Sequence, residues 1–336
     1  MNRPLRASLI GSSGIADIHA AAMRSTGIEI VGVYSTDAAS AAAFAQKHRI
    51  RCYRSPDELM TDDIDFAAVC TPSGTHCALA VSLMEHGKHA VTEKPVVLTR
   101  EEGIRLLETE KATGKFCAPI SQLRFSDTYT AVRDAIGQGA FGTVLLASLS
   151  MRYYRSPEYY RGSWHGTRVM DGGGALMNQG IHGIDLLCGL FGCPTRISGH
   201  TAARYHDIEV EDTAAASLVF PGGALGIIDA STAAAYPKPR RLEICGTAAS
   251  AVIEEDVLVS AEGIALTGGT STGIRSWQNP AAISADLHTA QYRNIRAAML
   301  GAEPLSYTAQ DAVNTVAVIL AIYASCETGN TVVMEY

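Results

Sequence analysis

Short apolar runs alternate with helix-period segments through the first 120 residues. LRASLI precedes a helical pattern over 14–25, IEIVGVY one over 38–48, FAAVC one over 75–86 and HAVTE one over 100–113, and FCAPI closes the series. Strand followed by helix in strict alternation predicts parallel βαβ units, since a parallel neighbour is reached only by a crossover long enough to hold a helix. From about 140 the texture changes. TVLLASLSMRYY, DTAAASLVF, ALGIIDAS and RLEICG carry period-2 alternation and are separated by Gly, Pro and Asp, which predicts a largely antiparallel sheet with one open face. Three helical patterns interrupt it near 174–190, 284–300 and 308–327, the middle one (ADLHTAQYRNIRAAML) being the most amphipathic. The expected architecture is α/β in two domains: a parallel-sheet domain over 1–121, and over 122–336 an α/β domain with a large, mostly antiparallel open sheet. The break is expected near Pro119–Arg124, and the last helix is expected to pack back on the first domain.

Composition narrows the classes. The 336 residues are 47% hydrophobic and 18% charged, enough for two cores at roughly 100–200 residues per domain. The formal charge of −7, without a concentrated basic stretch, argues against a nucleic-acid partner. MNRPLRASLI runs from two Arg straight into a strand-like segment, and no stretch reads as the roughly 20 apolar residues of a membrane span. A cytoplasmic protein without membrane attachment is expected. The eight Cys include no C-x-x-C pair, and the closest two, Cys188 and Cys193, lack neighbours at metal-ligand spacing. Reduced, mostly buried thiols and no metal are expected.

The first strand ends in Gly11, Ser12, Ser13, Gly14, Ile15 and Ala16, which aligns with the dinucleotide fingerprint G-x-G-x-x-G/A through Gly11, Ser13 and Ala16. The helix that follows would aim its N–H groups at a pyrophosphate, making this a Rossmann domain. Ser13 departs from the pattern: its Cβ takes space at the point of close phosphate approach, although its hydroxyl can donate. The tip of the second strand should supply the ribose-binding residue, and it offers Ser35 and Thr36, with Asp37 displaced. A carboxylate at the tip would repel a 2′-phosphate; its absence favours NADP slightly over NAD, although no Arg stands beside it.

Two further segments, VCTPSGTH (69–76) and GKHAVTEKP (87–95), complete a pattern that resembles the Gfo/Idh/MocA family, the glucose-fructose oxidoreductase and inositol dehydrogenase group. The resemblance runs on through DGGGALMNQGIHGIDLL (171–187) and EDTAAASLVFPGGALG (211–226) and covers essentially the whole chain. It implies a Rossmann domain followed by an open-sheet domain, and nicotinamide-dependent oxidation or reduction of sugars, cyclitols or related hydroxy compounds. It further implies a cofactor site at Thr71, Pro72, His76, Glu93, Lys94 and Gln122, a Lys94–Pro95 bond that is often cis, and a homodimer or homotetramer.

Hydride transfer to or from a carbinol carbon needs a group that exchanges the hydroxyl proton and a donor for the oxygen. Lys94 and His182 suit those two roles. A helix over 174–190 would put Asn178, His182 and Asp185 on one face, at i, i+4 and i+7. Gly180 and Gly183 beside His182 imply that something approaches that backbone closely, a substrate or cofactor ring being one candidate. Much of the family has Asp where this chain has Asn178; an amide cannot stabilise an imidazolium as a carboxylate does, so Lys94 is expected to be the principal acid/base unless Asp185 substitutes. The segment 151–168 concentrates Tyr153, Tyr154, Tyr159, Tyr160 and Trp164 with four Arg against one Glu. It reads equally as a substrate loop, with Tyr154, Arg161 and Trp164 on a carbohydrate and Arg124 nearby, or as a subunit contact. A non-catalytic ligand sensor on the same fold is the competing function class.

Overall fold

A computed structural model describes residues 3–266 and 284–335. In chain order the elements are β1 (Arg6–Ile10), α1 (Gly14–Ser25), β2 (Glu29–Tyr34), α2 (Ala38–His48), β3 (Arg51–Cys52), α3 (Pro56–Met60), β4 (Phe66–Val69), α4 (His76–Glu85), β5 (His89–Thr92), α5 (Arg100–Thr113) and β6 (Cys117–Pro119). They continue with α6 (Asp127–Gly137), β7 (Val144–Arg152), α7 (Pro157–Tyr160), α8 (Arg168–Asp171), a π-type segment over Ala175–Gly180, α9 (Ile181–Phe191) and β8 (Arg196–Ala202). The remainder comprises β9 (Thr213–Val219), β10 (Leu225–Ser231), β11 (Arg241–Gly246), β12 (Ser250–Glu254), β13 (Val257–Glu262), α10 (Asp286–Met299), α11 (Ala309–Thr328) and β14 (Val332–Val333).

Two compact units result, one formed by 1–122 with 283–313 and the other by 123–282 with 314–336. The first is a six-stranded parallel sheet of order β3-β2-β1-β4-β5-β6. This is the doubly wound order whose switch point, where the strand sequence reverses, lies between β1 and β4. The central strands are buried on both sides, and β4 has no exposed position, which explains why FAAVC reads as a continuous apolar run. Helix starts follow local chemistry: Asp37 accepts from Ala39 and Ser40 N–H at the head of α2, Ser55 caps α3 with Pro56 behind it, and Thr99 caps α5.

The sequence pattern places α10 in the second half of the chain, yet α10 belongs to the first unit. Its Tyr292 and Ile295 are buried in one cluster with Leu9, Ala16, Met23 and Phe66. An amphipathic stripe specifies that a helix needs a partner, not which partner it takes.

The second unit is an eight-stranded sheet of order β13-β12-β11-β7-β10-β9-β8-β14, antiparallel except for the β7–β10 pair. Alternation along β9 and β10 buries Ala214, Ala216, Leu218, Ile228 and Ala230, whereas Leu225 and Ile227 stand 53% and 46% exposed on the other face. None of the eight cysteines is in a disulfide, and four of them are buried. Contrary to the expectation that no segment is long and apolar enough to cross a membrane, α11 is so by length and composition, and half of its apolar window is buried inside the chain.

His89, at the start of β5, accepts the Phe116 N–H at Nδ1 and packs on the Phe116 ring. Burial first, and then nearby Lys115, lower its pKa to about 4. Because the folded value lies below the unfolded one of roughly 6.5, the unfolded chain binds the extra proton. The contribution to stability is therefore complete above that value and is lost as pH falls toward 4. Replacing His89 by Gln should flatten this part of the profile, measured as melting temperature between pH 7 and 4 for the two proteins.

Candidate active site

In the first unit the turn after β1 has the geometry that a pyrophosphate requires. Gly11 adopts φ +102°, and a Cβ there would lie 2.5 Å from the Cys70 carbonyl oxygen, so only glycine fits. Gly14, which opens α1, has no atom within 4 Å of where a Cβ would stand, leaving the helix N-terminus approachable. Ser13 is the N-cap residue and turns its hydroxyl toward the Cys70 carbonyl at 3.4 Å, while Ile15 is half-buried and Ala16 fully buried under the sheet. Half-buried Ser35 and exposed Thr36 present their hydroxyls at the tip of β2. The carboxylate of Asp37 is occupied by the Ala39 and Ser40 N–H groups at 3.1 and 3.0 Å. Gln122, just past β6, has a buried Oε1 without a hydrogen-bond partner. An open helix N-terminus, a hydroxyl-bearing β2 tip and an unused amide acceptor fit a nicotinamide dinucleotide.

The loop after β5 is fixed from beneath. Glu93 is buried, and its Oε1 accepts from His19 Nε2 at 3.0 Å; His288 Nε2 of α10 lies 3.7 Å away. Burial alone would push this carboxyl up, but the hydrogen bond from His19 and the nearby His288 ring outweigh it and hold Glu93 well below the usual carboxylate range. Burial keeps His19 itself below the ordinary imidazole range. A neutral His19 that donates from Nε2 must accept at Nδ1, which is 2.7 Å from the Tyr292 hydroxyl. Lys94, half-buried, follows directly, and the Lys94–Pro95 bond is cis.

His76 corrects one expectation. Rather than facing a cofactor, it is 1% exposed, with Nδ1 2.7 Å from the Pro95 carbonyl oxygen and Nε2 2.7 Å from that of Thr71. Burial lowers its pKa, and a neutral ring donates to only one carbonyl at a time. It ties the loop after β5 to the loop after β4, where the hydroxyl of Thr71 meets that of Thr75 at 2.7 Å and Pro72 precedes a 3-10 turn.

In the second unit the expected helix over 174–190 begins as the wider π-type segment, so Asn178 and His182 are not one α-turn apart. Asn178 Nδ2 donates to Asp171, whose other oxygen accepts the Gly166 N–H at 2.8 Å. Asp185 does not substitute for a carboxylate at 178. It takes Arg124 Nε and Nη2 at 2.8 and 2.7 Å, a partly buried bidentate ion pair, and the Thr315 hydroxyl at 3.0 Å. Two residues expected on the substrate therefore neutralise each other. His182 is half-buried in the first turn of α9. The close approach signalled by its neighbouring glycines is to β7: a Cβ on Gly183 would sit 2.9 Å from Leu149 and Met151 side chains, and one on Gly180 2.9 Å from Met151.

The aromatic segment forms a chain of rings, with Trp164 stacked on His165 at 3.9 Å, His165 against Tyr159 at 4.2 Å, and Tyr159 edge-on to Tyr160 at 5.0 Å. Tyr154 is 38% exposed, and Arg161 stands at the surface beside Glu158. Sequence reasoning passed over three residues here. Arg155 is buried where Arg161 was expected to act; Gln179 links it to Asn178; and Glu211, buried, receives the Gly174 and Leu176 N–H groups and so shapes the π-type segment. Arg155 was one of the four Arg of the aromatic segment, and Gln179 and Glu211 were present in MNQG and EDT, but polar residues flanking an expected site carry no mark of direction.

Residues 5–120 match the family model described as the oxidoreductase family with an NAD-binding Rossmann fold, and residues 129–252 match the GFO/IDH/MocA C-terminal domain. A 1,5-anhydro-D-fructose reductase of Ensifer adhaerens is 31% identical over 185 residues, 54% of this chain and 55% of the relative. A scyllo-inositol 2-dehydrogenase (NAD(+)) of Bacillus subtilis (strain 168) is 29% identical over 207 residues, 59% of this chain and 58% of the relative. The chain thus spans little more than half the length of these curated relatives. Among solved structures, the WlbA dehydrogenase from Bordetella pertussis, in complex with NADH and UDP-GlcNAcA, has a TM-score of 0.89. At 24% identity over 100% of this chain and 99% of that one, this is a likeness of fold.

Proposed function

The chain belongs to the Gfo/Idh/MocA family of oxidoreductases, whose N-terminal domain is an NAD-binding Rossmann fold, and on that footing we propose that it moves a hydride between a nicotinamide dinucleotide and a secondary alcohol or ketone. The substrate is a sugar, a sugar derivative or a cyclitol, in keeping with the relatives' anhydrofructose and inositol activities. The observation that carries this reading is buried Glu93, whose Oε2 accepts the Lys94 N–H at 3.2 Å and so fixes Lys94 at the carboxyl end of the parallel sheet, where doubly wound folds bind their ligands.

The bound nicotinamide supplies the hydride acceptor or donor. Gly11, Ser13, Gly14 and Ile15, on the turn that Ala16 packs beneath, would hold the pyrophosphate, Ser35 and Thr36 the ribose, and Thr71, Pro72 and Gln122 would border the remainder. Lys94 exchanges the hydroxyl proton, and His182 donates to the same oxygen. Glu93 and His76 act as positioning residues, one beneath the Lys94 loop and one binding it to the loop after β4. Asn178 passes the influence of a carboxylate at one remove, since its amide is held by Asp171. Replacing Lys94 by Ala should lower turnover by about 100-fold or more while dinucleotide binding survives, and His182→Ala should lower it less, as followed by nicotinamide absorbance.

We assign the cofactor as NADP or NAD with NADP slightly preferred, because the carboxylate of Asp37, which follows the β2 tip, is engaged by the head of α2. Fluorescence titration should give a lower Kd for NADPH than for NADH, and equal or tighter NADH binding would show that Asp37 reaches the ribose.

The exposed Leu225 and Ile227, with small residues beside them on β9, support a homodimer or homotetramer formed through the outer sheet face. Eight cysteines outside any disulfide support a cytoplasmic location. Light scattering at micromolar concentration should return at least twice the 35.5 kDa of one chain.

A further inference from the structure

Among the described residues of the second unit, Arg155 and Arg240 are buried and Arg124 is partly so, and Arg155 is differently placed from the other two. Arg240 is paired with Glu255 and Arg124 with Asp185. Arg155 is 8% exposed, and among the described residues no carboxylate lies within ion-pair distance of it. Its Nη1 donates to the Tyr154 carbonyl at 3.0 Å, its Nη2 donates to the Gln179 side-chain oxygen, and its Nε is buried with no acceptor at all. The rings of Tyr153 and Tyr159 flank the guanidinium, 5.7 and 5.8 Å from Cζ.

A guanidinium does not escape burial by losing its proton. Ring faces offset part of its desolvation and neutral oxygens a little more, but neither supplies the missing negative charge. Nε and Nη2 form the edge of the fork that matches two oxygens of one anion, and on that edge Nε is unused while Nη2 meets only a neutral amide. The edge also has an address. Gln179 Nε2 donates to Asn178 Oδ1 at 2.8 Å, so Arg155 is wired to the segment that leads into His182. Asp171, the nearby acid, is committed to Asn178 and the Gly166 N–H. Half-buried Tyr159, Trp164, His165 and Gln179 surround this corner.

We propose that Arg155 reads an anionic group on the substrate, a sugar carboxylate or sugar phosphate whose two oxygens take its Nε–Nη2 edge, with the Gln179 amide holding that place until substrate arrives. The proposal rests on the hydride-transfer reading above and narrows its substrate class from sugars in general to acidic ones. Arg155 is a specificity-determining residue, while Arg161, exposed beside Glu158, is not.

The test uses the full chain in a Trp277→Phe background, leaving Trp164 as the fluorescent reporter two rings from Tyr159. D-Glucuronate and D-glucose 6-phosphate are compared with D-glucose and myo-inositol, by quenching in the presence of NADPH and by turnover with NADP and NAD. The expected result is that one of the two anions binds at least tenfold more tightly than both neutral compounds, the carboxylate and phosphate arms showing which source is read. Arg155→Met should cut that anion-over-neutral preference about 100-fold, chiefly through KM, as for truncation of one partner of a buried charge pair. Arg155→Lys should retain part of it, and it carries the same comparison if the Met variant does not fold. No quenching by either anion, or an unchanged preference in the variants, overturns the proposal. Turnover of neutral sugars without anion preference would overturn it while leaving the hydride-transfer reading intact. Anion binding that depends on Arg155, with no nicotinamide turnover of any compound, would instead remove that reading and leave the anion site.

Discussion

A carboxylate that remains ionised inside the first unit is the constraint around which its functional end is organised. Burial of Glu93 would by itself favour the neutral acid. The charged form survives only because two histidines, one on α1 and one on α10, face it. The arrangement fixes three things at once. It sets the backbone from which Lys94 emerges, specifies the tautomer of His19 through the Tyr292 hydroxyl, and requires α10 to lie against α1. His76 extends the same rigidity sideways by holding the Pro95 and Thr71 carbonyls. The lysine belongs to a loop, but its neighbours are as firmly bonded as a core strand.

The second unit solves the corresponding problem with a different device. Glu211, raised by burial against the pull of the N–H groups it accepts, secures the start of the π-type segment, and the Tyr323 hydroxyl donates to the same carboxylate. Asn178, Gln179 and Arg155 are then lined up by hydrogen bonds, and the Arg124–Asp185 pair anchors the helix that bears His182. Charge is used here for alignment as much as for chemistry.

Much of this was legible in the sequence. The alternation of apolar runs and helical segments yields the parallel sheet, and Gly11 to Ala16 mark the tight turn that opens α1, because a strand buried on both faces and a turn that forbids a side chain leave local signatures. Period-2 segments likewise announce the open sheet. What stayed hidden depends on partners distant in sequence. Nothing in ADLHTAQYRNIRAAML says that its apolar stripe is meant for α1. Gly183 signals close approach without saying that Leu149 and Met151 are what approach. Asn178 looked like a lost carboxylate until Asp171 appeared behind it, and His76 looked like a cofactor contact until both its nitrogens were found on backbone carbonyls.

The discontinuity of the first unit bears on how the chain is made. On the ribosome, residues 1–122 emerge as an apparently complete βαβ array, but α10 is still untranslated, and with it His288, Tyr292 and Ile295. Until the intervening sheet of the second unit has been synthesised, Glu93 has only His19 beside it, and the apolar surface of α1 that α10 will cover stays open to water. The nascent chain therefore passes through a long interval in which its dinucleotide domain is formed in outline and unsealed. That is the kind of exposed intermediate that holdase chaperones bind.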